Sequence, residues 1–287
     1  IEEHNQDLDN FVSVLQSLNI KVKRPKIPTY IEKIQTRSWS SQSYPSLNCR
    51  DLCLVIGNKI IETPVSCRWR YYETDYMKHL FHEYFIGGAQ WICAPRPLIL
   101  DNSFDYTHEQ LKNIELEPQS NYLDYGIEIM FDAANCLKMG RHILMNVSNE
   151  NQRLGLKWLK SILGSEYTVW DINITDSHID STFLPIRPGL GIVTDDTKID
   201  TLPPEIQKWE LIYIPTTSQN IYKCKDPLLA SPKIMLNFLS VSPDCIICHD
   251  GYVNTLQRKL KCYNIDVIPS RMRHTRLFSG GHHCVTL

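Results

Sequence analysis

No apolar run in this chain approaches the roughly 20 residues that a membrane-spanning helix requires, so no helical span is expected. Charge of one sign is not in excess either: 30 Lys and Arg stand against 32 Asp and Glu, a formal net charge of −2. That balance gives no long-range attraction to nucleic acid or to an anionic membrane. The densest basic stretch, RMRHTR (271–276), is short, and such runs are usually solvated strands or loops. No second cysteine pair stands at zinc-ribbon spacing from CIIC (245–248), and no segment reads as a secretory signal. Neither nucleic acid nor membrane is therefore expected as a partner, and no metal or other cofactor is expected. The ten cysteines do not make a disulfide scaffold in a chain of 287 residues. Most sit in apolar runs (DLCLVIG, QWICAP, DCIICHD), where a thiol serves as a small hydrophobe, and a reducing, cytoplasmic compartment is expected.

What is present is a repeat. Amphipathic helix patterns, with apolar residues three and four apart, occur at 5–19, 74–85, 149–163 and 251–264. Each is followed by a short strand pattern, at 20–25, 89–95, 167–172 and 265–270, and a fifth strand, 209–215, follows the weaker helix PPEIQKW. Between them lie hairpin-like segments at 51–64, 126–146, 181–196 and 234–250, each with Gly, Asn, Asp or Pro at its turn. The unit is strand–strand–helix–strand, in four copies, with a helix and strand at the N-terminus that read as part of a fifth. Five such α/β units closing in a ring would bring equivalent positions together at one axis. Two ordinary α/β domains would serve the pattern equally well.

Taking the head of each hairpin as the equivalent position gives Asp51, Asp132, the pair His178 and Asp180, Ser231 and, near the last residue, Cys284. Taken singly, an Asp before a strand is usually a turn or cap residue, and a buried cysteine is more often structural. Together, a thiol, an imidazole and three carboxylates are what chemistry on a guanidinium group requires. A thiolate is the nucleophile, a histidine moves protons near neutral pH, and carboxylates hold a planar cation by paired hydrogen bonds. An Asp beside His178 would orient its ring. Zinc held by His178, His282, His283 and Cys284 is the rival reading of the same residues.

The stretches RDLCLVIGNKIIETPVSCRWRYYE (50–73), GGAQWICAPRP (87–97), MFDAANCLKMGRHI (130–143), HIDSTFLPIRPGLGIV (178–193) and GGHHC (280–284) resemble, in order, the amidinotransferases of the glycine and inosamine-phosphate type, members of the guanidino-modifying pentein superfamily. Related arginine deiminases typically carry Glu-Gly-Gly-Asp where this chain has Asp-Ala-Ala-Asn (132–135), which favours transferase over hydrolase. The resemblance implies a five-fold pseudosymmetric α/β propeller, one domain over 1–287, with the family's first strand and the segment after the cysteine not represented. It implies a transferase of one-carbon groups that moves the amidino group of L-arginine to an acceptor amine and releases ornithine. Cys284 would form the amidino-cysteine, and His178 would be general acid and then base, with Asp132 as its partner. Asp51 and Asp180 would bind the guanidinium, with Ser231 close to the substrate. The family often has an arginine downstream of the histidine for the donor carboxylate; this chain reads Thr197-Lys198 there, so Lys198 is the candidate. Relatives have Ser-Ser where this chain has Ala230-Ser231. Ser177 replaces a methionine of the glycine-type enzymes, in a shorter loop, which implies a roomier acceptor site, an acceptor larger than glycine and a setting such as natural-product biosynthesis. The expected partners are these small molecules, and a homodimer is the expected assembly. A deiminase-like hydrolase and a non-catalytic propeller that only binds are the alternatives.

Overall fold

The computed structural model describes residues 1–26, 33–43, 47–103, 126–215 and 236–287. Four three-stranded sheets carry the architecture, and each is one copy of the expected unit. The first is β3 (Cys53–Ile56), β4 (Lys59–Glu62) and β5 (Gln90–Cys93), with α2 (Lys78–Ile86) in the crossover. The second is β6 (Cys136–Met139), β7 (His142–Asn146) and β8 (Thr168–Ile172), with α3 (Glu150–Leu163). The third is β9 (Phe183–Arg187), β10 (Leu190–Thr194) and β11 (Glu210–Ile214), with the single turn α4 (Pro204–Gln207). The fourth is β12 (Leu239–Ser242), β13 (Cys245–His249) and β14 (Asp266–Ser270), with α5 (Val253–Leu260). In every copy the hairpin is antiparallel and the strand after the helix pairs parallel with the hairpin's second strand, which is therefore central. A parallel return needs a crossover, and the helix supplies it.

Local chemistry explains the helices. Asn149 caps α3 by accepting from the Gln152 amide at 2.9 Å, and Gly164 closes it at φ 58°. In α1 (Glu2–Ser17) the buried residues His4, Asp7, Phe11 and Leu15 fall on one face at helical spacing. Two readings need correction. Residues 20–25 form no strand: Asn19 turns the chain at φ 60°, and Ile20 and Val22 pack against α1. In 126–146 only 136–146 forms the hairpin, because Phe131 is drawn into the apolar cluster with Leu156 and Leu159 instead of pairing. A short extra hairpin, β1 (Lys33–Gln35) and β2 (Ser40–Gln42), was not anticipated.

The described chain falls into two compact units, one of 1–24, 47–50 and 174–287, the other of 25–46 and 51–173. Each holds two of the four sheets. In the first unit, Phe11 and Leu15 pack with Ile247 and Met272, and Val285, beside Cys284, joins the same cluster. Within the basic stretch, Arg273 and His274 pair with acidic residues of α1, while Arg271 is exposed and pairs with Asp250 at 3.1 Å. Asp7, fully buried, takes the Arg273 amide and guanidinium at 2.8 to 3.1 Å, while Glu3 takes Arg273 and His274. CIIC lies on β13, where Cys245 and Cys248, three residues apart on a strand, point to opposite faces. No described helix is long and apolar enough to cross a membrane.

Candidate active site

The segment carrying Cys284 follows a one-turn helix, α6 (Thr275–Phe278), which ends at Ser279 with φ 59°. Two glycines then let the chain pass where no side chain fits. A Cβ on Gly280 would overlap the Asn48 side chain, and one on Gly281 would sit 2.8 Å from Asn237 Oδ1. The turn is tied down from outside as well. The Arg50 amide donates to the Cys284 carbonyl at 3.2 Å, and Arg50 Nε donates to the His283 carbonyl at 2.6 Å.

Around the sulphur the groups converge tightly. Asn237 Oδ1 accepts three backbone N–H groups, from Gly281 (3.0 Å), His283 (3.1 Å) and Cys284 (3.0 Å). Its Nδ2 donates to Asp180 Oδ2 at 3.0 Å and to Cys284 Sγ at 2.9 Å. Three donors on one atom require the carbonyl oxygen there, and two acceptors on the other side require the amide nitrogen, so the orientation is fixed by both ends. Asp180 Oδ2 also takes His283 Nδ1 at 2.7 Å and the Cys284 thiol at 3.4 Å.

The electrostatics follow from that geometry. Burial pushes the Asp180 carboxyl up, but the hydrogen bond and charge of His283, with His178 and Arg50 nearby, outweigh it and hold it at about 2. Burial lowers His283 to about 4, helped by the Arg50 charge and opposed by Asp180. An ionised Asp180 only accepts, so His283 Nδ1 carries the hydrogen and donates. His178, partly exposed, starts the turn Ile179–Ser181, and its carbonyl takes the Ser181 hydroxyl at 2.7 Å.

The other two hairpin-head carboxylates belong to the second unit. Buried Asp51 accepts Arg70 Nη1 through Oδ2 at 2.7 Å, and Arg70 Nε reaches Glu73 at 2.6 Å. Arg70 is pulled down by burial and more than restored by Asp51 and Glu73, so it stays charged. Asp132 caps the turn Ala133–Asn135 and accepts the Ser66 hydroxyl at 3.0 Å through Oδ1.

Of the expected set, the structure thus brings Cys284 and Asp180 into contact and places His178 beside Asp180. Ser231 lies outside the described residues. Lys198 and Ser177 are both exposed, Lys198 at the start of the turn Ile199–Thr201, and none of the hydrogen bonds around the sulphur reaches either. Sequence reasoning missed Asn237 and treated His283 only as a metal ligand. Asn237 stands two residues before β12, as Asp51 stands two before β3. A polar residue at the head of the fourth hairpin (LNFLSV) was the available signal. Among the described residues no group of three or more His, Cys, Asp or Glu is placed to hold a metal ion.

Comparison with known proteins places the whole chain rather than the site. No protein-family model matches the chain. Inosamine-phosphate amidinotransferase 1 of Streptomyces griseus is 33% identical, across all of this chain and 80% of its own length. Among solved structures, inosamine-phosphate amidinotransferase StrB1 of Streptomyces griseus superposes with a TM-score of 0.87 at 32% identity, covering all of this chain and 80% of that one. SxtG, an amidinotransferase of the saxitoxin pathway of Microseira wollei, gives 0.87 at 28%, covering 100% and 83%. The chain belongs to the amidinotransferases, enzymes that transfer amidino groups.

Proposed function

We propose that the protein moves the amidino group of L-arginine to an acceptor amine through a covalent intermediate on Cys284. The observation that carries this reading is the sulphur held between the Asn237 amide and the Asp180 carboxylate, within a family that transfers amidino groups. In the first half-reaction the thiolate of Cys284 attacks the guanidino carbon. The C–N bond to the side chain of arginine breaks, and His178 gives a proton to the departing ornithine amine. In the second, the acceptor amine attacks the amidino-cysteine, His178 takes its proton, and the thiolate leaves. No cofactor is required for the atoms and protons to balance.

Asp180 suits the donor. A carboxylate held near 2 is ionised at neutral pH and offers a charge-assisted hydrogen bond to a guanidinium. Its charge works against a thiolate in the empty site, and the incoming cation cancels that opposition, so donor binding and nucleophile activation are coupled. The roles of Asp132 as partner of His178, Asp51 as second guanidinium ligand, and Ser231 and Lys198 as donor contacts rest on the resemblance. So does the single five-fold α/β propeller domain, which four copies of one unit support.

An acceptor larger than glycine is supported by exposed Ser177 and by the similarity to inosamine-phosphate enzymes. The saxitoxin-pathway relative supports a natural-product setting. A homodimer and a cytoplasmic location complete the proposal. The test is turnover of arginine with a panel of amines, inositol-derived, lysine-like and glycine. Guanidinylated product from a bulky amine, with ornithine formed in equal amount, supports the reading; citrulline with no need of an amine replaces it with a hydrolase.

A further inference from the structure

We propose that Asn237 is a positioning residue that acts through Cys284: one side of its amide fixes the nucleophile's backbone, and the other tunes the sulphur. The inference rests on Cys284 being the nucleophile. Asn237 is buried, and all of its side-chain valency is spent on this one turn and its neighbour Asp180.

Two consequences follow from the chemistry of the side chain. Oδ1 gathers three N–H groups that a tight Gly-Gly turn cannot pair within itself, so the turn keeps one conformation with the sulphur aimed at Asp180. Nδ2 is a donor to sulphur at 2.9 Å, a contact that strengthens when the thiol becomes a thiolate. Asp180 Oδ2 accepts the thiol hydrogen at 3.4 Å and strengthens the opposite state. The sulphur therefore sits between a group that favours its charge and one that opposes it, and Asn237 binds both. Without the amide, Asp180 keeps its contact with His283 but faces the sulphur without the Nδ2 donor that now binds both.

The test reads Cys284 directly, with no substrate. The rate of iodoacetamide alkylation at Cys284, located by peptide mass, is followed against pH in the wild type, Asn237→Asp and Asn237→Ala. Asn237→Asp keeps the oxygen that receives the three N–H groups and turns the Nδ2 donor into a carboxylate oxygen, so both the lost donor and the added charge act against the thiolate. Asn237→Ala removes the donor without adding charge. Asn237→Asp is expected to shift the profile to higher pH by about one unit, which is about tenfold slower alkylation at neutral pH. Asn237→Ala is expected to add a fall in Tm. In the unaltered protein, the amide hydrogens of Gly281, His283 and Cys284 are expected to exchange slowly. A variant with near-wild-type Tm and an unchanged alkylation profile would overturn the tuning role, and a Tm loss alone would leave Asn237 merely structural. Fast exchange of those three amides in the wild type would overturn the anchoring role. If the profile shifts but arginine leaves no adduct on wild-type Cys284, arginine as donor in the proposed function fails, whereas the tuning of the Cys284 thiol by Asn237 stands.

Discussion

At Asp180 one carboxylate oxygen takes hydrogens from His283, Asn237 and Cys284, and the same group is proposed to receive the donor's guanidinium. These two tasks separate in Asp180→Asn. Removing the charge takes away the opposition to a thiolate, so Cys284 of the free enzyme is expected to alkylate faster at neutral pH. The same change removes a charge-assisted hydrogen bond of about 1.5–3 kcal/mol, so kcat/KM for arginine is expected to fall by about 10- to 100-fold. Opposite signs in the two assays support the account, and a parallel loss contradicts it. Gly281→Ala tests the same turn from the backbone. Its Cβ would meet Asn237 Oδ1 at 2.8 Å and the Asn237 carbonyl at 3.0 Å, so transfer activity is expected to drop by at least about tenfold while far-UV circular dichroism stays unchanged. Equal activity would mean that the turn relaxes freely. At this scale the sequence offered the reactive types, Cys284, His178 and Asp180. It did not offer their environment, because Asn237 lies 47 residues from Cys284 and only the fold joins them.

Among the elements, α1 carries the clearest dependence on pH. His4 is buried on it with neither ring nitrogen hydrogen-bonded among the described residues, and its ring lies 4.6 Å from Phe278. His282, whose ring meets Phe11 edge-on at 4.8 Å, is also buried. Burial lowers His4 to about 4 and His282 to about 3, against 6.5 for an ordinary histidine. Below pH 6.5 the unfolded chain takes up protons that the native state refuses, so stability falls as pH falls toward 4. The limiting slope is about 1.4 kcal/mol per pH unit for each such histidine. Asp180 adds a separate loss only below its ordinary 3.8, as pH falls toward 2. The urea midpoint is expected to be lower at pH 5 than at pH 7.5, and His4→Phe is expected to narrow that gap. An unchanged gap would show that His4 is not buried in solution. Helices and hairpins were legible because their periodicity is local. Residues 20–25 were misread because Ile20 and Val22 alternate like a strand yet serve to cover α1, a tertiary use that no local pattern encodes.

For the molecule as a whole, the repeat was the legible feature: four copies of strand–strand–helix–strand follow from hydrophobic period and turn residues, and the fold adds that the second strand of each is central. The pairing of Arg273 and His274, within RMRHTR, with α1 was not legible. A basic run looks the same whether it meets solvent or, as here, the acidic face of a helix some 270 residues earlier in the chain. The central claim is that Cys284 takes the amidino group from arginine. Intact mass of the protein after incubation with arginine alone, with Cys284→Ala as control, tests it most directly. The account predicts an amidino increment on the wild type only, at Cys284, with an equal amount of ornithine and no citrulline. Citrulline without an accumulated adduct, or an increment that persists in Cys284→Ala, would contradict it.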